Sequence, residues 1–395
     1  MNAVTRHGPI TTPPDEAEIG RRLDRVRASM QAEGIDLMVV HDPDNVFYLT
    51  NFANYIHERP FVLVVAIDGP LRFVVPELER RHVEVRSVGA LELIAYVEFP
   101  APVGDTWADR LQDALIAGSP SGDRIIGVEP NCPLFVVDSL PAEPRRSDLL
   151  ADARMVKTDY EIGRITYSSE VLSEAHNGLM DVVKPGDMAA ILSSQTTQGI
   201  LLRLLGDIPE ANMLATSVGA VVQPPSVSDD PHNFTNVLMT MEEGGPHVSV
   251  LNAVLNGYGA EIERTFFLNR VPEGARAPFE AMMEARRTAF ELTVPGNHMS
   301  DVDKAVRQVF ERRGYGDHLL HRTGHSFGVT GHEGPFLAVA DDRVIEPGML
   351  FSIEPGIYLR GVGGFRHSDT VLTTTDGNVS LTTAPDSLDE LTFHR

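Results

Sequence analysis

Histidines, carboxylates and glycines gather in four short stretches of the carboxy-terminal half of this 395-residue chain. The first is Asp229-Asp230-Pro231-His232-Asn233, and the second runs from Gly257 to Thr265 and carries Glu261 and Glu263. The third joins Gly324-His325-Ser326-Phe327-Gly328 to His332-Glu333-Gly334-Pro335. The fourth joins Glu354-Pro355-Gly356-Ile357-Tyr358 to Arg366-His367-Ser368-Asp369. Imidazoles and carboxylates brought together can ligate a divalent metal, move protons, or grip a cationic substrate. Glu261 and Glu263 are two residues apart, so on a strand they share a face and whatever one reaches the other reaches. Two such carboxylates suit a metal ion or a guanidinium or ammonium group.

The elements that must position these groups are legible in outline. Ile19, Leu23, Val26 and Met30 fall at helical spacing, with Gly34 as a stop. Ile35 to Val40, Phe61 to Val65 and Leu71 to Val75 read as strands, with the polar segment Asp42 to Pro60 between the first two. Alternating helices and strands predict an α/β amino-terminal domain. Pro141 to Arg146 reads as a surface connection, and Thr158-Asp159-Tyr160-Glu161 is a capping box that opens the next helix. We therefore place domains at 1–155 and 156–395. In the second, Pro185-Gly186-Asp187 and Pro295-Gly296-Asn297 each stand between helical patterns, and each is followed by strand-like runs such as Val248 to Leu255 and Leu350 to Ile353. That echo predicts a duplicated unit, with helices packed on a curved, mainly antiparallel sheet.

Composition narrows the partners. With 33 basic and 56 acidic residues the net charge is -23, which repels phosphate backbones and anionic lipid and excludes nucleic acid and membrane surfaces as expected partners. The longest apolar run, Phe61 to Ile67, is too short to span a bilayer, and the start has no signal-peptide core. The lone Cys132 rules out an internal disulfide framework. The expected location is the cytoplasm.

GYGAEIERTFF, HRTGHSFG followed by HEGP, and EPGMLFSIEPGIY, in this order, resemble the pita-bread enzymes, the family of methionine aminopeptidase, aminopeptidase P, prolidase and creatinase. YLTNF, ERPFVLVV and MVKTDYEI extend the resemblance over nearly the whole chain, on the creatinase and prolidase branch. It implies an amino-terminal creatinase-type α/β domain followed by a carboxy-terminal pita-bread domain. In the metal-dependent members Asp, Asp, His, Glu and Glu hold two ions. By local motif these positions are Val250, Glu261, His325, Glu354 and Ser368 here, so two of them cannot ligate. Bridging carboxylates offset the repulsion of paired ions, and the two bridging positions are altered to Glu261 and Ser368 here, which argues against a dinuclear centre.

Creatinase works without metal, and Gly324 to Gly328, Ile262 to Thr265 and the pair His232-Asn233 are similar to its motifs. The resemblance then implies His232 as the general acid and base, Glu263 and Glu354 with Glu261 as the grip on a cationic group, and His325 and His332 as orienting groups. It also implies a homodimer in which Arg59 reaches the partner's substrate carboxylate. The neighbouring aromatic is His57 here, which argues against creatine itself. The loop after His332, Glu333-Gly334-Pro335-Phe336, lacks creatinase's second carboxylate-binding arginine. The expectation is a metal-independent, creatinase-like hydrolase of a carbon-nitrogen bond in a small zwitterionic nitrogen compound, with no cofactor. The alternatives are a metal-dependent Xaa-Pro dipeptidase, which needs ions that this ligand set barely supports, and a non-catalytic pita-bread binding protein; apart from these, a single divalent ion on Glu261, His325 and Glu354 is chemically reasonable.

Overall fold

A computed structural model describes residues 7–55, 58–98, 104–119, 124–234 and 238–395. Two compact units emerge, Thr12–Arg154 and a second made of residues 7–11 with Met155–Arg395. Residues 7–11 join the second unit because Ile10 donates its backbone N–H to Gly163 (3.0 Å) and its side chain fills the space beside that glycine, where a Cβ has no room.

The first unit opens on the helix Glu16–Glu33, capped by Asp15, whose side chain accepts the Glu18 N–H, and ended by Gly34 at φ 65°. Ile19, Val26 and Met30 form its buried face. A six-stranded sheet follows, in which the fully buried Leu37–Val40 lies antiparallel to Val62–Ala66 and parallel to Ile126–Val128. The segment expected to be a polar connection contains a helix, Pro43–Thr50, with Asp42 as cap and Pro43 in its first turn.

In the second unit Thr158 Oγ1 accepts the Glu161 N–H (3.2 Å) and the Glu161 carboxylate accepts the Thr158 N–H (3.0 Å), starting the helix Asp159–Val182. The expected echo is visible as two helical hairpins, Asp159–Val182 with Ala189–Asp207 and Arg276–Leu292 with Met299–Arg312. Their turns pass through Gly186 (φ 89°) and Gly296 (φ 95°), left-handed positions that glycine occupies without steric cost.

Each hairpin is followed by strands of one sheet, whose path runs Leu350–Ile353, Ser368–Thr374, Tyr258–Leu268, Gly244–Leu255, Ser217–Gln223. The pairs along this path are antiparallel. The core lies between sheet and helices, where Phe267 and Phe351 meet Met282, Val306 and Phe310. Each fully buried side chain of this size contributes roughly 1.5–3 kcal/mol. Two short ribbons, Gly324–Ser326 with Glu333–Leu337 and Gly356–Leu359 with Gly363–Arg366, carry the remaining motifs. No helix among the described residues is long and apolar enough to cross a membrane.

Candidate active site

The strand Tyr258–Leu268 is buried throughout and presents Glu261 and Glu263 on one face, while Ile262 and Phe266 join the core on the other. Its neighbours set the surroundings of these acids by register. Val250 and Ser368 both stand opposite Glu263, so the two positions unable to ligate flank one carboxylate in a row across three strands. Ser368 Oγ donates to Glu261 Oε1 (2.7 Å), and the Ser352 hydroxyl lies 2.9 Å from that of Ser368. Glu263 is held by Arg366, with Nη2 at 2.7 Å from Oε1 and Nε at 2.5 Å from Oε2. The first is a hydrogen bond and the second a close ion-pair contact; burial raises the Glu263 carboxyl to about 8, with Arg366 opposing and Glu261 adding to the rise.

His325 lies on the strand Gly324–Ser326, pressed so closely on the next strand that a Cβ at Gly324 would meet the Ser352 carbonyl oxygen. Its Nδ1 is 3.0 Å from the Ser326 carbonyl oxygen, which makes Nδ1 the protonated nitrogen and leaves a lone pair on Nε2. Nε2 is buried without a hydrogen-bond partner and points at Glu354 Oε1, 3.5 Å away. Burial keeps this imidazole neutral, drawing its pKa down to about 4 although Glu261 pulls the other way. The His332 ring stacks on it at a centroid distance of 3.6 Å, with its own edge exposed.

Glu354 completes the cluster. Burial first, then Glu261 and Glu263, raise its carboxyl well above the usual range, with Arg366 and Arg322 opposing. Ligand-capable atoms of Glu261, His325 and His332 lie within 4.8 Å of one another, as do those of Glu261, Glu263 and Glu354. An orphaned imidazole nitrogen facing crowded carboxylates is a donor set that fits a divalent cation. Arg366 occupies Oε1 of Glu263, so the donors that meet with least competition are Glu261, His325 and Glu354, with His332 and Glu263 Oε2 beside them.

The other expected residues are distributed unevenly. His232 is exposed on a turn fixed by Gln223, whose amide donates to the Asp230 and Asn233 carbonyls. Arg59 belongs to the other unit, where it pairs with Glu98 and with Glu58 at 2.9 Å. His57 lies outside the described residues. Lys157 and Glu333 form a buried ion pair (2.7 Å) at the base of the His332 turn.

Sequence reasoning missed His321, Tyr358 and Arg322. His321 Nε2 is 2.8 Å from the Tyr358 hydroxyl, which accepts from Arg366 Nη1 (2.8 Å), so a polar chain runs from the site wall to Glu263. Its signals were present: a histidine four residues before His325, and the tyrosine closing the Glu354 motif.

Comparison with known proteins agrees with this geometry. Residues 163–375 match the model of metallopeptidase family M24, and residues 22–156 match that of the creatinase/prolidase N-terminal domain. The chain is 29% identical to YkvY of Bacillus subtilis over 374 residues, 93% of this chain and 99% of that protein. It is 26% identical to the Xaa-Pro dipeptidase of Pyrococcus furiosus over 368 residues, 91% and 97% of the two chains. The crystal structure of dipeptidase PepE from Mycobacterium ulcerans superposes with a TM-score of 0.80 at 24% identity, covering 97% of this chain and 100% of that one.

These findings overturn the creatinase-like, metal-independent expectation and the absence of a cofactor. The matching family is one of metallopeptidases, and the Pyrococcus furiosus relative is named an Xaa-Pro dipeptidase. The physical reason is that cation binding depends on which donors meet in space, not on donors at fixed chain positions. Val250 and Ser368 are indeed lost as donors, but the fold brings Glu263 and His332 to the same cluster, so cation-binding capacity persists.

Proposed function

The chain belongs to metallopeptidase family M24, hydrolases of carbon-nitrogen bonds with the pita-bread fold, and on that premise we propose that it is a dipeptidase using one divalent ion on Glu261, His325 and Glu354. The observation that carries this reading is the bare, buried Nε2 of neutral His325 facing Glu354. The bound ion supplies Lewis-acid polarisation of the scissile carbonyl and a more acidic water. Glu354 would hold the ion through Oε1, which faces His325 Nε2, and its other oxygen would take the proton of the attacking water and return it to the leaving amine. Arg366 offsets the charge of Glu263. His332 and His232, exposed beside the cluster, face the substrate. The same reading takes the substrate to be a small peptide and the enzyme to be a cytoplasmic homodimer.

The test is metal content together with hydrolysis of a dipeptide panel that includes Xaa-Pro compounds. Protein purified without chelator should carry about one ion per chain, the count expected of a three-ligand catalytic site. It should lose activity on chelation and regain it on adding a divalent ion. His325→Ala should abolish both metal binding and turnover. Dipeptide hydrolysis that survives exhaustive chelation refutes the proposal.

A further inference from the structure

A metal centre needs its donors held to within about 0.5 Å, and His325 and Glu354 arrive from different strands. His325 sits on Gly324–Ser326, and Glu354 directly follows Leu350–Ile353. Thr323 joins the two. Its carbonyl oxygen accepts the backbone N–H of Glu354 (2.9 Å), and His325 stands two residues further along the chain. Whatever fixes Thr323 therefore fixes the separation of His325 Nε2 from Glu354 Oε1, which is 3.5 Å.

Thr323 is held from behind by Asp303, a buried residue of the helix Met299–Arg312. Asp303 Oδ1 accepts the Thr323 hydroxyl (2.7 Å) and the Thr323 N–H (3.0 Å), which is shared with the Leu337 carbonyl oxygen (3.1 Å). Oδ2 accepts the Val339 N–H (3.0 Å) and Arg307 Nε (2.9 Å). Thr323 precedes and Val339 follows the ribbon of Gly324–Ser326 with Glu333–Leu337, so one carboxylate ties both strands at the end away from the His332 turn. Asp303 stands in the buried stripe of Val302, Val306, Val309 and Phe310. Aspartate is almost never fully buried unless paired, and packing a helix does not require it there. Arg307 balances its charge from one turn on, and the other three contacts go to the ribbon. Resting on the metal-dependent reading above, we infer that Asp303 is a positioning residue of the metal centre, setting the spacing of His325 and Glu354 through Thr323.

The test titrates Co2+ into metal-free full-length protein, following the heat of binding and the visible absorption of the bound ion. In Asp303→Asn one acceptor and one donor stand where four donors converge, so one side of the clamp opens. Affinity should fall by roughly 10- to 100-fold, the scale of lost outer-shell support, and the Co2+ bands should move. Val306→Ala leaves a cavity on the same helix and lowers Tm, yet should keep wild-type affinity and spectrum. Thr323→Val, without the hydroxyl, should weaken Co2+ in the same direction, and Thr323→Ser, which restores it, should behave as wild type. This pair decides the matter if Asp303→Asn does not fold. Unchanged affinity and spectrum in Asp303→Asn, an equal loss in Val306→Ala, or no difference between the two Thr323 variants overturns the assignment.

If wild type binds no Co2+, the metal-dependent reading has failed on its own. Native-state hydrogen exchange then reads the clamp directly, through the Glu354 amide that donates to Thr323. Relative to amides of the strand Tyr258–Leu268, it should exchange roughly 10- to 100-fold faster in Asp303→Asn or Thr323→Val. An unchanged ratio overturns the positioning role.

Discussion

Asp369→Asn measures how much the ionic lattice behind the active-site strand contributes to holding the site. Asp369 neighbours Ser368, the residue whose hydroxyl is on Glu261, and its own side chain is 1% exposed. Oδ1 accepts from Arg264 Nη2 (3.0 Å) and Thr382 Oγ1 (2.8 Å), and Oδ2 from Arg286 Nη2 (2.5 Å). Asparagine keeps the shape and removes the charge shared by two buried guanidinium groups. Removing one partner of a buried ion pair costs about 3–5 kcal/mol. Arg286 retains Asp386 at 2.9 Å, and Arg264 retains the carbonyls of Pro385, Glu263 and Ser368. We accordingly expect the lower part of that range, about 3–4 kcal/mol. At roughly 2–4 °C per kcal/mol for a unit of this size, the Tm of the second unit falls by about 6–16 °C.

The same lattice sets a pH dependence. Burial by itself would raise the Asp369 carboxyl, yet Arg264 and Arg286 together hold it below the usual carboxylate range. A carboxyl lower in the folded than in the unfolded chain contributes stability that is fully present above the unfolded value, about 3.9, and is lost as pH falls toward the folded one. The gap between wild type and Asp369→Asn should therefore be constant near neutrality and close below about pH 4. Calorimetric scans across this range, with Arg264→Met and the double variant completing a cycle, provide the measurement. A loss under about 1 kcal/mol, the scale of an exposed pair, refutes the reasoning. So does a gap that widens on acidification.

Arg366→Met should destabilise by about 3–5 kcal/mol, because Glu263 is left buried without its partner. Adding Glu263→Gln should recover most of that in a denaturant titration, and an additive double variant would show that the pair is not coupled. Gly324→Ala places a methyl group against the Ser352 carbonyl oxygen, where no side chain can yield. Overpacking of this kind costs about 1–3 kcal/mol. By shifting His325 it should also weaken divalent-ion binding in isothermal titration, and unchanged affinity would show that the strand spacing does not set the donor geometry.

Much of the scaffold was legible because its signals are local. The Thr158 capping box, the Pro-Gly turns at Gly186 and Gly296, and the alternation of Glu261 and Glu263 each depend on a few adjacent residues. The helix Pro43–Thr50 escaped because it is two turns long and nearly all buried, so no amphipathic period marks it. Only the Asp42-Pro43 pair announced it. The docking of Ile10 on Gly163 had no local signal. Nothing along the chain states that Arg366 crosses to Glu263, whereas Asp369, three residues on, turns to Arg264 and Arg286.

The misreading of the metal centre has the same origin, and charge decides it. Substituting ligands one at a time, Val250 and Ser368 count as two losses, and the site looks dismantled. In space, three carboxylates share a buried volume with one neutral imidazole donor and one guanidinium. Arg366 offsets one of the three, and the rest form a concentration of negative charge that burial makes costly unless a cation or a proton enters. The upward displacement of the Glu354 carboxyl is the proton's version of that demand. A divalent ion on Glu261 and Glu354 would answer the same demand, and His325 Nε2 is already oriented to receive it. The residues at 250 and 368 therefore bear on how many cations the site takes, with Arg366 serving as a built-in one, and do not remove the need for a cation.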